Sequence, residues 1–284
     1  METDDRQPTP TRFVPGLVLL RRSRSEWQLG LDPSVALRVP AGPDGSAPAP
    51  EDLATEPRAA ALLLGPAPHA GVVPASEVAA LVQRGPDRAG ERLRRRGRAR
   101  VAVHDELGAD AAGLLEGAGV AVLDQTSGAP PDVVLVLSDR EVDRELLDRL
   151  VRHGTPHLVV RLVDGVVVLG PFVVPGHTAC LRCIDEHLAG ADPAHHSLVA
   201  QHARHPRTPA EDARPRDRAL LTLATAWAVR DVLTHVEGDR PTTWSATVRL
   251  EPGLAAVTDV HWLRHPECGC FWLDDGDASV TLAP

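Results

Sequence analysis

"HPECGC", residues 265–270, carries two of the four cysteines of a 284-residue chain, Cys268 and Cys270, and "CLRC" at 180–183 carries the other two. Cys-x-x-Cys at a helix start and Cys-x-Cys on a tight turn allow four thiolates to converge tetrahedrally. Zinc takes four sulfurs at ~2.3 Å in closed shells that are structural and not catalytic. Gly269 gives the turn between the last two cysteines its backbone freedom. Three other readings stand beside the zinc site: a pair of disulfides, which a reducing cytosol disfavours, a thioredoxin-like redox pair at Cys180 and Cys183, which has no use for a second pair, and four unrelated buried cysteines. On the zinc reading the metal ties the last strand of the chain to a helix that follows a hairpin.

The residues around the cysteines spell out that hairpin and the sheet behind it. "HLVVRLVDGVVVLGPFVV" is two β runs around Asp164-Gly165, a hairpin signal, and "TACLRCIDEHLAG" reads as a helix capped by Thr178. Upstream, "ARVAVH", a helix over "GADAAGLLEGAGV", "VAVLD" and "PDVVLVLS" follow in β-α-β-β order. The last is continuously apolar, as in a parallel strand covered on both faces. Ser138 and Glu141 match a capping box opening a helix with the stripe Val142, Leu146, Leu147, Leu150 and Val151. Downstream, residues 190–217 are polar and aperiodic and read as a long mobile loop, "RALLTLATAWAVRDVLTHV" (218–236) as a buried helix, and "TTWSATVRLEP" and "LAAVTDVHWL" as strands. These elements predict a doubly wound, Rossmann-like α/β domain over 96–284.

Residues 1–95 read as a separate small α+β domain. Leu17–Leu20, Trp27–Leu31 and Val35–Val39 form an antiparallel unit, followed by the linker-like "AGPDGSAPAPEDLATEP" and by helices near Arg58–Leu64 and Ser76–Gln83. The net charge of −9 argues against nucleic acid, and "ERLRRRGRAR" (91–100) reads as a solvated helix end. No apolar run reaches membrane-spanning length and the acidic N-terminus is no secretory signal, so a cytoplasmic protein is expected. All 30 basic residues are arginine, which excludes any mechanism built on a lysine.

Taken together, the βαβ unit, "GPFVVPGHTACLRCIDEH", the long loop, the buried helix, the β-hairpin and "HPECGC" resemble the ThiF/MoeB-like superfamily, relatives of the ubiquitin-activating enzymes. The likeness runs over about 99–275. It is nearest to actinobacterial proteins associated with cyclodehydratases, or binding leader peptides, in the biosynthesis of thiazole/oxazole-modified microcins (TOMM). The resemblance implies a structural zinc on Cys180, Cys183, Cys268 and Cys270, a homodimer, and a winged-helix-like N-terminal module that grips a leader peptide as an added strand.

The departures from that family point away from catalysis. Active members adenylate a carboxylate using a glycine-rich loop after the first strand. Here the loop is "VAVHDELGADAA" (101–112), in which only Gly108 remains, while Val103 and Asp105 stand where glycines belong. Gly108 and Asp124, the latter matching the family's ribose-binding acid, are the vestigial cofactor-binding candidates. The ATP-positioning Asn, Arg and Lys have no counterpart in "DQTSGAPP" (124–131). No catalytic residue is assigned and ATP is not expected. The expected function is a non-catalytic scaffold presenting a leader peptide or partner to a separate azoline-forming cyclodehydratase. The alternative is a divergent ATP-dependent adenylyltransferase, for which Arg204, Arg207, Arg214 and Arg216 would reach phosphates. His177, His187, His195, His196, His202 and His205 read as solvated, and His265 as a neighbour of the metal shell or an alternative ligand in it.

Overall fold

The structure is a computed structural model that describes residues 12–13, 18–31, 36–53, 63–64, 77, 80–81, 84–124, 128–206 and 216–270. Contacts divide the chain into two compact units, residues 1–97 with 117–119, and residues 98–116 with 120–284.

In the first unit, β1 (Arg12–Phe13) belongs to a two-stranded sheet, while β2 (Leu19–Arg21), β3 (Glu26–Leu29) and β4 (Leu37–Pro40) form an antiparallel sheet in that order. Alternation sorts their side chains. Leu19, Trp27, Leu29, Leu37 and Val39 share one face by register, and most of them pack with Leu53 in a small core. Leu53 ends a 3₁₀ turn over Pro50–Leu53, so part of the linker-like stretch is packed. Trp27 Nε1 donates to the Gly45 carbonyl at 3.3 Å, which pins the loop after β4. β5 (Leu63–Leu64) pairs with β1, which corrects the helix expected over Arg58–Leu64 at those two residues; the rest of it lies outside the described residues. Of the helix expected over Ser76–Gln83, Glu77, Ala80 and Leu81 are described and are helical. The unit ends in α1 (Pro86–Arg96).

The second unit is built on a seven-stranded mixed sheet. Its elements are β6 (Arg100–Asp105), α2 (Ala111–Gly117), β7 (Ala121–Leu123), β8 (Val133–Ser138), α3 (Arg144–Arg152), β9 (His157–Val163), β10 (Val166–Val173), α4 (Leu181–Ala189), α5 (His195–Arg204), α6 (Arg218–Val236), β11 (Ala246–Leu250) and β12 (Val257–His261). The order is β12-β11-β10-β9-β8-β6-β7, with β7, β6, β8 and β9 parallel and β10 to β12 antiparallel. Every residue of β8 is buried, which is why it reads as an unbroken apolar run. Val134 and Val136 pack with Leu147 of α3 and with Leu181 and Ile184 of α4. α6 packs on β8, β9 and β10 through Leu221, Ala224, Ala228 and Val232, while Thr222, Leu223 and Ala226 on its other side are exposed, so the helix expected to be buried nearly all round is buried on one broad face.

The hairpin turns at Asp164 and Gly165, both with positive φ, as a tight turn between right-twisted strands requires. Gly170 is compelled by a close approach. At φ +95° its ideal Cβ would stand 2.3 Å from the Ala246 carbonyl oxygen, so only glycine lets β10 run this near β11. Asp231 of α6 fixes the entry to β11, accepting from the backbone N–H groups of Thr242 and Thr243 at 3.0 and 2.9 Å.

Two expected caps are corrected. α3 is capped by Asp143, which accepts from Glu145 N at 3.0 Å, because Ser138 is still in β8 and Glu141 precedes the helix. α4 starts from Cys180 without a side-chain cap, while Thr178 Oγ1 accepts from Val174 N at 2.8 Å and closes the preceding turn. The loop expected over 190–217 is also corrected, since α5 lies within it; residues 207–215 are outside the described residues.

Candidate functional site

The four cysteines meet at the end of the sheet farthest along the chain. Cys180 precedes α4, Cys183 lies in its first turn, and Cys268 and Cys270 follow β12 on the 265–270 turn. The Cys180 and Cys183 sulfurs are 3.8 Å apart, Cys180 and Cys268 3.4 Å, and Cys183 and Cys270 3.5 Å. All four Sγ atoms fall within 4.8 Å of one another and all four residues are buried. Sulfurs at ~2.3 Å from a common tetrahedral centre stand about 3.8 Å apart, so the donor set fits a thiophilic cation. The walls are Val173, Ala179, Val151 and Trp262. Ala179 N donates to Ser245 Oγ at 2.9 Å and Trp262 Nε1 to Thr247 Oγ1 at 2.9 Å, which ties both cysteine segments to β11.

The thiols already interact as a set. The hydrogen bond between Cys180 and Cys183 pushes the Cys180 thiol up and holds the Cys183 thiol down. Thiolates this close repel one another, and only a cation at their centre stabilises several at once.

The histidines do not form a second centre: among the described residues the four cysteines are the one group placed to share a metal ion. His187 sits edge-on to His265, ring centroids 4.9 Å apart, with its Nε2 3.0 Å from the Leu263 carbonyl. His265 Nδ1 accepts from Glu267 N and shapes the turn. His195 pairs with Asp185 at 3.2 Å and His196 with Glu186 at 3.3 Å.

At the other candidate site, the carboxyl ends of the parallel strands, the decisive residue is Asp105. Its carboxylate accepts from the N–H groups of Leu107, Gly108 and Ala109 at 2.9, 2.8 and 2.9 Å. The amides that a phosphate-cradling loop turns toward its ligand are here turned onto the loop's own side chain. Gly108 does adopt positive φ, with nothing within 4 Å of where a Cβ would stand. Asp124 follows β7 and lines a cavity of about 330 Å³ with Val103 and Leu123. The two candidates therefore flank β6 without meeting in one pocket.

A larger cavity of about 490 Å³ lies beyond β8 and β9, floored by Leu162, Leu220 and Leu221. At its rim Arg140 and Arg216 both pair with Asp139, at 3.3 and 2.8 Å. Arg204 instead pairs with Glu145, and Arg207 and Arg214 lie outside the described residues. Asp217 caps α6 by accepting from Leu220 N at 2.9 Å.

Beside this cavity lies a buried charge network that sequence reading missed. Arg144 grips Asp185 through two bonds of 2.7 and 2.9 Å and reaches Glu141 at 3.0 Å, while Arg161 donates to both Glu141 oxygens. The one legible signal was an arginine, Arg161, inside an otherwise apolar strand.

α5 covers this corner but buries none of its own residues. It is held by His195–Asp185, His196–Glu186, Arg204–Glu145 and the N–H of Glu141 on His202 Nδ1. Such polar tethers contribute little each. In hydrogen-exchange mass spectrometry the α5 amides are expected to exchange at least about tenfold faster than those of α4 or α6; equal protection would show an anchor not accounted for.

No protein-family model matches the chain, and no curated protein matches it in sequence. Solved structures do share its fold. A heterocyclase in complex with substrate and cofactor superposes with a TM-score of 0.62 at 18% identity, over 92% of this chain and 39% of its own. The heterocyclase TruD gives 0.62 at 19% identity, over 92% and 42%. Escherichia coli MccB gives 0.54 at 12% identity over 92% and 96%, and the microcin C7 biosynthetic enzyme MccB in complex with N-formylated MccA gives 0.54 at 12% over 92% and 99%. The chain thus spans about two fifths of the heterocyclase chains and nearly all of MccB. At these identities the likeness is one of fold. No helix among the described residues is long and apolar enough to cross a membrane.

Proposed function

We propose that this chain is a non-catalytic, ThiF-like scaffold in modified-peptide biosynthesis, which binds a leader peptide and presents it to a separate azoline-forming cyclodehydratase. The observation that carries the reading is the Asp105 carboxylate seated on three loop amides. A phosphate approaching that loop meets a fixed negative charge that already occupies three of its amides, and the chain has no lysine to offset it. The fold shared with the heterocyclases and with MccB supports the setting in modified-peptide biosynthesis. In this proposal Cys180, Cys183, Cys268 and Cys270 hold one zinc, whose contribution is mechanical, and the first unit is the peptide-recognition module.

A second reading, a divergent adenylyltransferase, has one observation in its favour: the 490 Å³ cavity with Arg140 and Arg216 at its rim. Both guanidiniums are already neutralised in part by Asp139, which weakens it.

Isothermal titration of the metal-analysed protein with MgATP separates the two. The scaffold reading expects no saturable heat at ligand concentrations up to about 1 mM, a free energy of only about −4 kcal/mol, alongside one zinc per chain. Micromolar affinity would overturn it.

A further inference from the structure

The three-stranded sheet of the first unit has two edge strands, β2 and β4, among the described residues, and the ladder identifies which of their groups point outward. Arg22 N bonds the Glu26 carbonyl at 3.0 Å and Gly30 N the Val18 carbonyl at 2.9 Å. Alternate pairs of an antiparallel ladder carry the hydrogen bonds, so the register places the N–H and C=O of Leu19 and Arg21 away from β3. By the same rule the outward positions of β4 include Arg38 and Pro40, and a proline has no N–H to give. β4 therefore has the features of a blunted edge, whereas β2 keeps its outward donors. It also keeps exposed apolar side chains beside them, Val18 at 58% and Leu20 at 36%.

The charge along this edge runs against the rest of the molecule. In a chain of net charge −9, β2 and its turn carry Arg21, Arg22 and Arg24 against Glu26 alone. Glu26 is half-exposed and meets Arg22 at 3.3 Å. Arg21 lies over the Trp27 ring at 5.9 Å, a stacking that holds its guanidinium along the sheet. Both faces of β2 have the same order, leucine then arginine: Leu19 and Arg21 on one, Leu20 and Arg22 on the other.

We infer that the outer edge of β2 accepts an extended peptide strand in which two neighbouring acidic residues adjoin two neighbouring apolar ones. The acids would lie across from Arg21 and Arg22, the apolar pair across from Leu19 and Leu20, and the main chain would bond to Leu19 and Arg21. This rests on the peptide-binding reading and adds to it the place and the class of peptide.

The test uses the full chain and a fluorescently labelled synthetic peptide of about twelve residues repeating Glu-Glu-Val-Val, with Gln-Gln-Val-Val and Lys-Lys-Val-Val controls. Anisotropy titration should show binding of the acidic peptide at least about tenfold tighter than either control, falling with salt as surface charges are screened. The double variant Arg21→Glu/Arg22→Glu should reverse the preference. Leu19→Pro removes one outward donor without touching a β2–β3 bond, so it should weaken binding at least about tenfold relative to Leu19→Ala, which gives up the same part-buried side chain and keeps the donor. Equal binding of all three peptides would overturn the acidic class and leave the peptide-binding reading standing. Binding of none would overturn both. Wild-type affinity in Leu19→Pro would move the site off this edge, and tighter binding of oligothymidylate would reassign the arginines to phosphate.

Discussion

Cys183→Ser is expected to abolish stoichiometric zinc and to lower the melting temperature by on the order of 10 °C, measured by plasma emission on desalted protein and by differential scanning calorimetry. Serine is nearly isosteric with cysteine, so little of the loss can come from a cavity, although Cys183 is fully buried. The cost comes from what the sulfurs hold together. Cys268 and Cys270 follow β12, an edge strand with every residue exposed, and the described contacts of the 265–270 turn with α4 run through the thiols and His187. With three ligands in place of four the cation is held weakly, and the end of the sheet loses its tie to α4. On the order of 5 kcal/mol is a fair expectation, below the ~10–16 kcal/mol of isolated zinc modules because this unit has a core of its own. The same variant tests the redox reading. If zinc content and melting temperature are both unchanged while a thiol–disulfide activity disappears, the cluster is not a metal centre.

That the four cysteines meet was readable from spacing alone, because Cys-x-x-Cys at a helix start and Cys-x-Cys on a tight turn each bring two sulfurs to one side. The sheet was readable for a related reason. β8 and the Asp164-Gly165 turn each obey one dominant constraint, burial on two faces or positive φ at a hairpin. α6 was legible as a helix, but its apolar residues do not distinguish the broad buried face from the exposed one that carries Leu223 and Ala226. α5 escaped notice because it obeys none, having no buried face and hence no apolar period in "HHSLVAQHAR". The caps were misplaced by five residues at α3 because Ser138 and Glu141 match a capping box only in sequence. In space Ser138 Oγ donates to Glu106, and Glu141 is drawn to Arg144 and Arg161. Asp105 marks the intermediate case. Its charge in the loop was legible, but not that it would bind the loop's own amides, since an Asx-type turn depends on backbone conformation and not on residue type alone.

Arg144→Met is expected to cost about 3–5 kcal/mol in urea unfolding, the second large effect, because it strands the buried Asp185 carboxylate and takes from Glu141 one of its two guanidinium partners. Burial alone would raise the acids, but hydrogen bonds and charge from Arg144 hold Asp185 below the ordinary carboxylate range, and Arg161 with Arg144 does the same for Glu141. A carboxyl held down when folded adds stability above its unfolded pKa of about 4, which is lost as pH falls through the folded value. In Arg144→Met that sign inverts for Asp185, since a carboxyl left buried without its guanidinium favours the protonated form, so the variant should come closer to the parent as pH drops from 7 toward 4. His157 imposes a separate acid limit on both proteins: burial lowers it to about 4. An unfolded histidine titrates near 6.5, so between about 6.5 and 4 the unfolded chain takes the proton first and stability declines as pH falls. Comparing variant with parent cancels this shared slope. The network itself is imperfectly satisfied, since Arg161 Nε is buried without a partner. The double variant Arg144→Met/Asp185→Leu should therefore recover a large part of the loss by removing charge and countercharge together. Its failure to recover anything would show that the network does more than neutralise itself; with His195 on Asp185, the natural candidate is the hold on α5.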